Sequence, residues 1–148
     1  MHNTSVQIRP MKISDYDAVF TLWTQSSGMT LRDADSRAAI DAYLQRNPQI
    51  SQVALLQGTL VGAVLAGTDG RRGYVQHLAI TPTHQGQGIG KRLLAACIEA
   101  LAQQGIAKTH LFIHADNDNA RQFYRHLGWQ VRSEVQLLSF NASGNGNI

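Results

Sequence analysis

The chain has 148 residues, 43% apolar and 16% charged, the size and composition of one ordinary folded domain. A net charge of +3 without a long Lys or Arg run argues against a nucleic-acid surface, and no apolar run approaches the ~18 residues that span a bilayer. The single cysteine, Cys97, excludes an internal disulfide, and the N-terminal stretch lacks an apolar secretory core, so the sequence reads as cytoplasmic.

Residues 6–9 alternate and Pro10 closes them, which predicts a first strand near a sheet edge. Ser14 then reads as a helix N-cap with Asp17 three residues on, and Tyr16, Val19, Phe20 and Trp23 follow helical spacing. That helix fades at Ser26, Ser27 and Gly28. A second helix is expected over 36–46, with Ile40, Tyr43 and Leu44 inward and Asn47-Pro48 as its stop. The polar loop between them, 28–35, carries Met29, Asp33 and Asp35. It reads either as a connector or as one wall of a substrate site.

Residues 52–57 and 60–68 are apolar strands joined by a hairpin at Gly58-Thr59, and a second turn over 69–73 leads into a strand at 74–80. The next helix places Leu93, Leu94, Cys97, Ile98 and Leu101 on one face and ends near Gly105. Residues 108–113 form a strand. A helix over 117–127 carries Ala120, Phe123, Tyr124 and Leu127, and Gly128 stops it. Two short strands, 129–132 and 135–140, are expected to close the fold. The result is one domain over 1–140 and a flexible tail over 141–148. The order β-α-α-β-β-β-α-β-α-β-β describes an α+β protein with a mixed sheet.

The chemistry concentrates where the strand 74–80 meets the following helix. Gly86, Gly88 and Gly90 put unencumbered N–H groups at a helix N-terminus, where the unpaired donors and the macrodipole favour an anion. The glycines fall as G-x-G-x-G, which is not the dinucleotide fingerprint. A Walker loop fails as well, with Gln85 and Arg92 at two of its required positions.

The run Gln85-Gly86-Gln87-Gly88-Ile89-Gly90 resembles the pyrophosphate loop of the GNAT N-acetyltransferase superfamily. Asn117, Ala120, Tyr124 and Gly128 resemble that family's second cofactor motif, with Trp129 where Phe is usual. The turn Asp69-Gly70-Arg71-Arg72-Gly73 is similar to one found in a bacterial stand-alone branch. The resemblance implies a mixed central sheet with helices on both faces, acetyl-CoA as donor and CoA as product. It implies that Leu78, Ala79 and Ile80 splay from their neighbour and pair with pantetheine. Gly86, Gln87, Gly88, Ile89 and Gly90 would wrap the pyrophosphate, with Gln85 and Lys91 helping. Asn117 would hold the pantetheine–phosphate region and Tyr124 would serve as acid at the sulfur. On the residues alone, Asn117 fits an N-cap and Tyr124 a core aromatic equally well.

Direct transfer of the acetyl group to an amine in a ternary complex needs a neutral amine, and a lysine-like amine has a reference pKa of ~10.4. A base is therefore sought, yet no carboxylate lies within 74–80 or 108–113. An ordered water ranks first and His77 second, since His titrates near neutrality. Strand alternation puts Gln76 and His77 on opposite faces, with Tyr74 sharing the face of Gln76. Trp23, Met29, Asp33, Asp35, Tyr74 and Gln76 are the candidate contacts to a small-molecule or peptide amine. No metal is expected: His110 and His114 would stand ~13 Å apart along a strand. Cys97 reads as core. A non-catalytic acyl-CoA sensor on the same fold stays open, as does a homodimer made by the terminal strands.

Overall fold

Residues 5–148 are described in a computed structural model. The first four residues, included in the expected domain and in the N-terminal stretch read as lacking a secretory core, lie outside the described part. Five strands form one sheet in the order β1-β2-β3-β4-β5: β1 Gln7–Pro10, β2 Gln52–Leu56, β3 Thr59–Thr68, β4 Gly73–Ile80 and β5 Thr109–Leu111. Neighbours run antiparallel except β4 and β5, which are parallel. The helices are α1 Tyr16–Thr24, α2 Arg37–Arg46, α3 Ile89–Gln103 and α4 Asp118–His126.

Alternation along the central strands fills two layers. Val53, Ala63 and Leu65 pack with Val19, Trp23 and Ile40 of α1 and α2. Ala54, Val64 and Ala66 face the other way, onto Leu93, Cys97 and Leu101 of α3. A strand buried on both faces reads as a continuous apolar run, which is the pattern of β2 and β3. The α+β class, the mixed sheet and helices on both faces are all present.

Several local expectations shift. A 3-10 turn, Ile13–Asp15, precedes α1, and Asp15 accepts the Lys12 N–H at 2.8 Å while holding Arg9 through two bonds, so the cap is not Ser14 with Asp17. The two-residue turn between β2 and β3 is Gln57-Gly58, both at positive φ, one residue earlier than Gly58-Thr59. Ile98 is 40% exposed, off the α3 stripe.

The closing strands do not form. Among the described residues no strand follows β5, and residues 130–140 lie exposed. Alternating apolar residues supply strand propensity, but a strand needs a ladder partner, and here none pairs with them.

Candidate functional site

Gly73 starts the site by letting β4 and β5 approach: a Cβ there would sit 2.6 Å from Thr109 Oγ1. The two strands pair only at Gly73, Tyr74 and Val75. From Gln76 to Ile80, β4 runs on with no strand on that edge among the described residues; apart from the His77 and Ile80 carbonyls, which Trp23 and Gln85 engage, this stretch could take an added extended ligand. The divergence expected at Leu78, Ala79 and Ile80 thus begins two residues earlier.

On the other edge, β4 bulges. Gln76 pairs with Leu65 and Ala79 with Ala63, so His77 and Leu78 share the space opposite one residue. His77 takes φ +56°, which is unusual for a non-glycine residue. The bulge breaks the expected alternation. His77 turns its ring to Trp23 of α1, with centroids 4.9 Å apart, and Gln76 pairs with Leu65 of that same layer. Leu78 packs into the layer of α3.

Two residues, Trp23 and Asp35, hold His77. Trp23 Nε1–H donates to its carbonyl at 3.0 Å, and its Nε2 lies 2.9 Å from Asp35 Oδ1. Asp35 is buried. Its Oδ2 accepts the Arg32 N–H at 3.0 Å, and its main-chain oxygen accepts the Tyr16 hydroxyl at 2.6 Å. Burial pushes the Asp35 carboxyl up, but the His77 bond and the Arg32 N–H outweigh it and hold the group below the usual carboxylate range.

Next to Leu78 opens a groove of about 590 Å³, lined by residues 78–80, 85–86 and 88–91. Its far wall is the end of α1 with Gln25, Ser26 and Ser27, and Phe123 of α4 closes one side. Gly86 and Gly88 take φ of 77° and 82°. A Cβ on either would meet nothing within 4 Å, so glycine is required there by the backbone and not by crowding. The first ladder bond of α3 runs from Arg92 N–H to Gly88 C=O, so the N–H groups of Ile89, Gly90 and Lys91 precede the ladder. At Gly90 the reason is contact: a Cβ would stand 3.2 Å from Phe123 Cζ. Lys91 lines the groove and, among the described residues, makes no ion pair.

Other expected contacts have local partners. Gln85 donates to Ile80 C=O at 3.2 Å, tying the loop to the strand end. Asn117 is the N-cap of α4, its Oδ1 accepting Ala120 N–H at 3.1 Å, and its Nδ2 faces Gly28 of the loop after α1. Tyr124 packs its ring between Phe123 and Trp129, and burial pushes its hydroxyl up to about 12. Gln87, Asn117 and Tyr124 are not among the groove's lining residues.

On the substrate side, Trp23 is 1% exposed, a core residue that braces the bulge and leaves almost no surface for an amine. Met29 is half-buried against the α1–α2 layer. Tyr74 reaches Asp69 at 3.4 Å at the opposite end of β4, ~13 Å along the strand from Leu78. Asp33 receives the Asn145 and Asn147 side-chain amides of the tail at 2.6 and 2.7 Å, and these hold its carboxyl below the usual range. The end of α1, His84 and Phe123 were absent from the sequence-derived site. Only Phe123 carried a signal, as the apolar neighbour of Tyr124.

The sequence matches the Acetyltransferase (GNAT) family over residues 16–129. The chain belongs to that family. This GNAT protein is therefore an acyltransferase. It is 31% identical to an acetyltransferase of Pectobacterium atrosepticum over 89% of this chain and 93% of the relative. Its fold is similar to that of the PaiA N-acetyltransferase from Thermoplasma acidophilum in complex with coenzyme A, with TM-score 0.78, 21% identity and coverage of 86% and 91% of the two chains. It is equally similar to an aminoglycoside N-acetyltransferase, AAC(6')-Iy, in complex with CoA, with TM-score 0.78, 16% identity and coverage of 95% and 98%.

Proposed function

We propose that this GNAT protein is a cytoplasmic N-acetyltransferase that carries an acetyl group from acetyl-CoA to a primary amine by direct attack in a ternary complex. One observation carries the reading. The open edge of β4 and the N-terminus of α3 face a single groove, so one extended ligand with amides at one end and a pyrophosphate at the other would satisfy both.

The residues present fit such a donor. The groove's volume of about 590 Å³ lies within the usual ~300–1,000 Å³ of ligand pockets. Leu78 and Ile80 offer apolar walls to pantetheine, and Leu78 lies on the edge of β4 that β5 leaves uncovered. The N–H groups of Gly86 through Lys91 and the Lys91 ammonium suit a pyrophosphate. Acetyl-CoA supplies the activated acetyl group as a thioester.

The chain's own residues do the rest. Main-chain N–H groups at the bulge are donors for the acetyl carbonyl as charge develops on its oxygen. His77, or a water it orders, receives a proton from the amine. Tyr124, beside the groove-lining Phe123 and with its hydroxyl pushed up to about 12 by burial, would donate a hydrogen bond to the departing thiolate. A thiol ionises at ~8.5, so the phenol stabilises the thiolate without giving up its proton. Gln76, exposed on the α1–α2 face, is the free polar side chain beside His77 for an incoming amine. The acceptor is a small-molecule or peptide amine, and we read the active form as a homodimer.

The test is CoA release from acetyl-CoA across peptide N-termini, lysine side chains, polyamines, amino acids and aminoglycosides, followed by a thiol reagent. Turnover on one class supports the reading and names the acceptor. Tight acetyl-CoA binding with no turnover on any amine would replace it with the sensor.

A further inference from the structure

We propose that Asp35 is a positioning residue, fixing His77 in the tautomer whose unprotonated Nδ1 takes the proton from the attacking amine. The inference rests on the acetyl-transfer reading above and deepens it.

A histidine at φ +56° is in the left-handed region and persists only where its surroundings over-determine it. Here Trp23 fixes the carbonyl, the indole face fixes the ring plane and Asp35 fixes one ring nitrogen. Glycine or asparagine would accept the same bulge more easily. The fold keeps an imidazole at this point and aims it.

The direction of the proton follows from Asp35. A carboxylate only accepts hydrogen bonds, so Nε2 must donate to Oδ1. In the neutral ring Nδ1 is then the free lone pair. Among the described residues Nδ1 makes no hydrogen bond, and the His77 side chain keeps 18% of its surface exposed. The next residue, Leu78, lines the groove, while the His77 ring lies on the α1–α2 side beside the exposed Gln76, the side from which the amine would come. Asp35 does not itself fit the base role: both its oxygens are engaged and its carboxyl is held below the usual range.

The step balances. The neutral amine nitrogen bonds to the acetyl carbon, one of its protons passes to Nδ1, and the C–S bond breaks with its electron pair leaving on sulfur. The imidazolium, stabilised by the Asp35 carboxylate, returns its proton to the thiolate or to solvent. This is the role a carboxylate plays for the histidine of a serine-protease triad, with the ring nitrogens exchanged.

Asp35→Asn is a sharp test because its orientation is set in advance. The Arg32 N–H needs an acceptor at the Oδ2 position, so the new amide places its oxygen there and its NH2 toward His77. That NH2 donates to Nε2 and moves the ring proton to Nδ1. Nitrogen-15 NMR of the His77 ring should show Nε2–H in the wild type and Nδ1–H in Asp35→Asn. Turnover should fall roughly 10³–10⁴-fold with the KM for acetyl-CoA within about two-fold. His77→Gly, which accepts the bulge without strain, should lose as much and regain part of it with added imidazole, a rescue that serves if Asp35→Asn fails to fold.

A wild-type ring protonated on Nδ1, unchanged turnover in Asp35→Asn after a tautomer switch, or no imidazole rescue would each overturn the proposal while acetyl transfer stands. Absence of wild-type turnover on every amine would overturn both.

Discussion

Tyr124 lies between two aromatic rings, 5.1 Å from Phe123 and 5.7 Å from Trp129. That packing removes water from the phenol, and burial alone pushes its ionisation up to about 12. Near neutral pH the hydroxyl is a fixed donor. Tyr124→Phe keeps the ring and its packing and deletes only the donor, so turnover should fall about 10²-fold, with the KM for acetyl-CoA changed by no more than a few-fold. Steady-state kinetics on the amine that responds best would decide it, and unchanged turnover removes Tyr124 from the chemistry. Residue types were legible in the sequence, as Tyr124 and His77 illustrate, but their partners were not. Asp35 meets His77 across 42 positions of chain, through a bulge whose positive φ no spacing pattern announces. Asp33 and Asp35 looked alike in the loop, yet one is taken by the tail's amides and the other by the imidazole.

At the scale of elements, the start of α3 depends on backbone geometry that glycine supplies. Gly88 holds φ +82° at the N-cap, with nothing near the place of a Cβ. Gly70 is a control within the same chain: it holds φ +95° in the turn before β4, also without neighbours, and does not line the groove. Alanine at either site should cost about 1–2 kcal/mol of backbone strain. For a chain of this size that is a melting-point drop of roughly 2–8 °C. Only Gly88→Ala should also raise the KM for acetyl-CoA, by about ten-fold or more, because the N–H groups aimed at the groove turn with the loop. Equal KM effects at both sites would mean that the loop matters for stability alone. The sequence showed this loop clearly because its signal is local: three alternating glycines between a strand and an apolar-striped helix. The β2–β3 turn slipped by one residue because Gln57 takes φ +51°, a place where glycine or asparagine is the usual cue.

For the whole molecule, the sheet has two edges and they are unequal. Edge β1 carries Pro10 and packs against α3, whereas β5 is three residues long and has no strand beyond it among the described residues. The residues read as closing strands are the ones that an edge of this kind would pair. They lie unpaired, with Leu137 70%, Leu138 85% and Phe140 92% exposed. Their alternation was legible, but their pairing was not, since a ladder depends on a partner and not on the strand's own residues. The segment is tethered at both ends, by Trp129 packed on Tyr124 and by Asn145 and Asn147 bound to Asp33. Held at both ends, it could still lie along the edge of another copy. Exposed apolar residues of this kind, beside a bare edge, suit pairing between two copies about a two-fold axis, which is the basis of the homodimer proposed above. We expect a dimer at micromolar concentration in sedimentation equilibrium. The substitution Leu137→Asp with Leu138→Asp should convert it to a monomer that melts where the wild type does at concentrations too low for dimers, because neither side chain contributes to the core of one copy. A wild-type protein that sediments as a monomer across that range would leave the β5 edge without the partner argued for it.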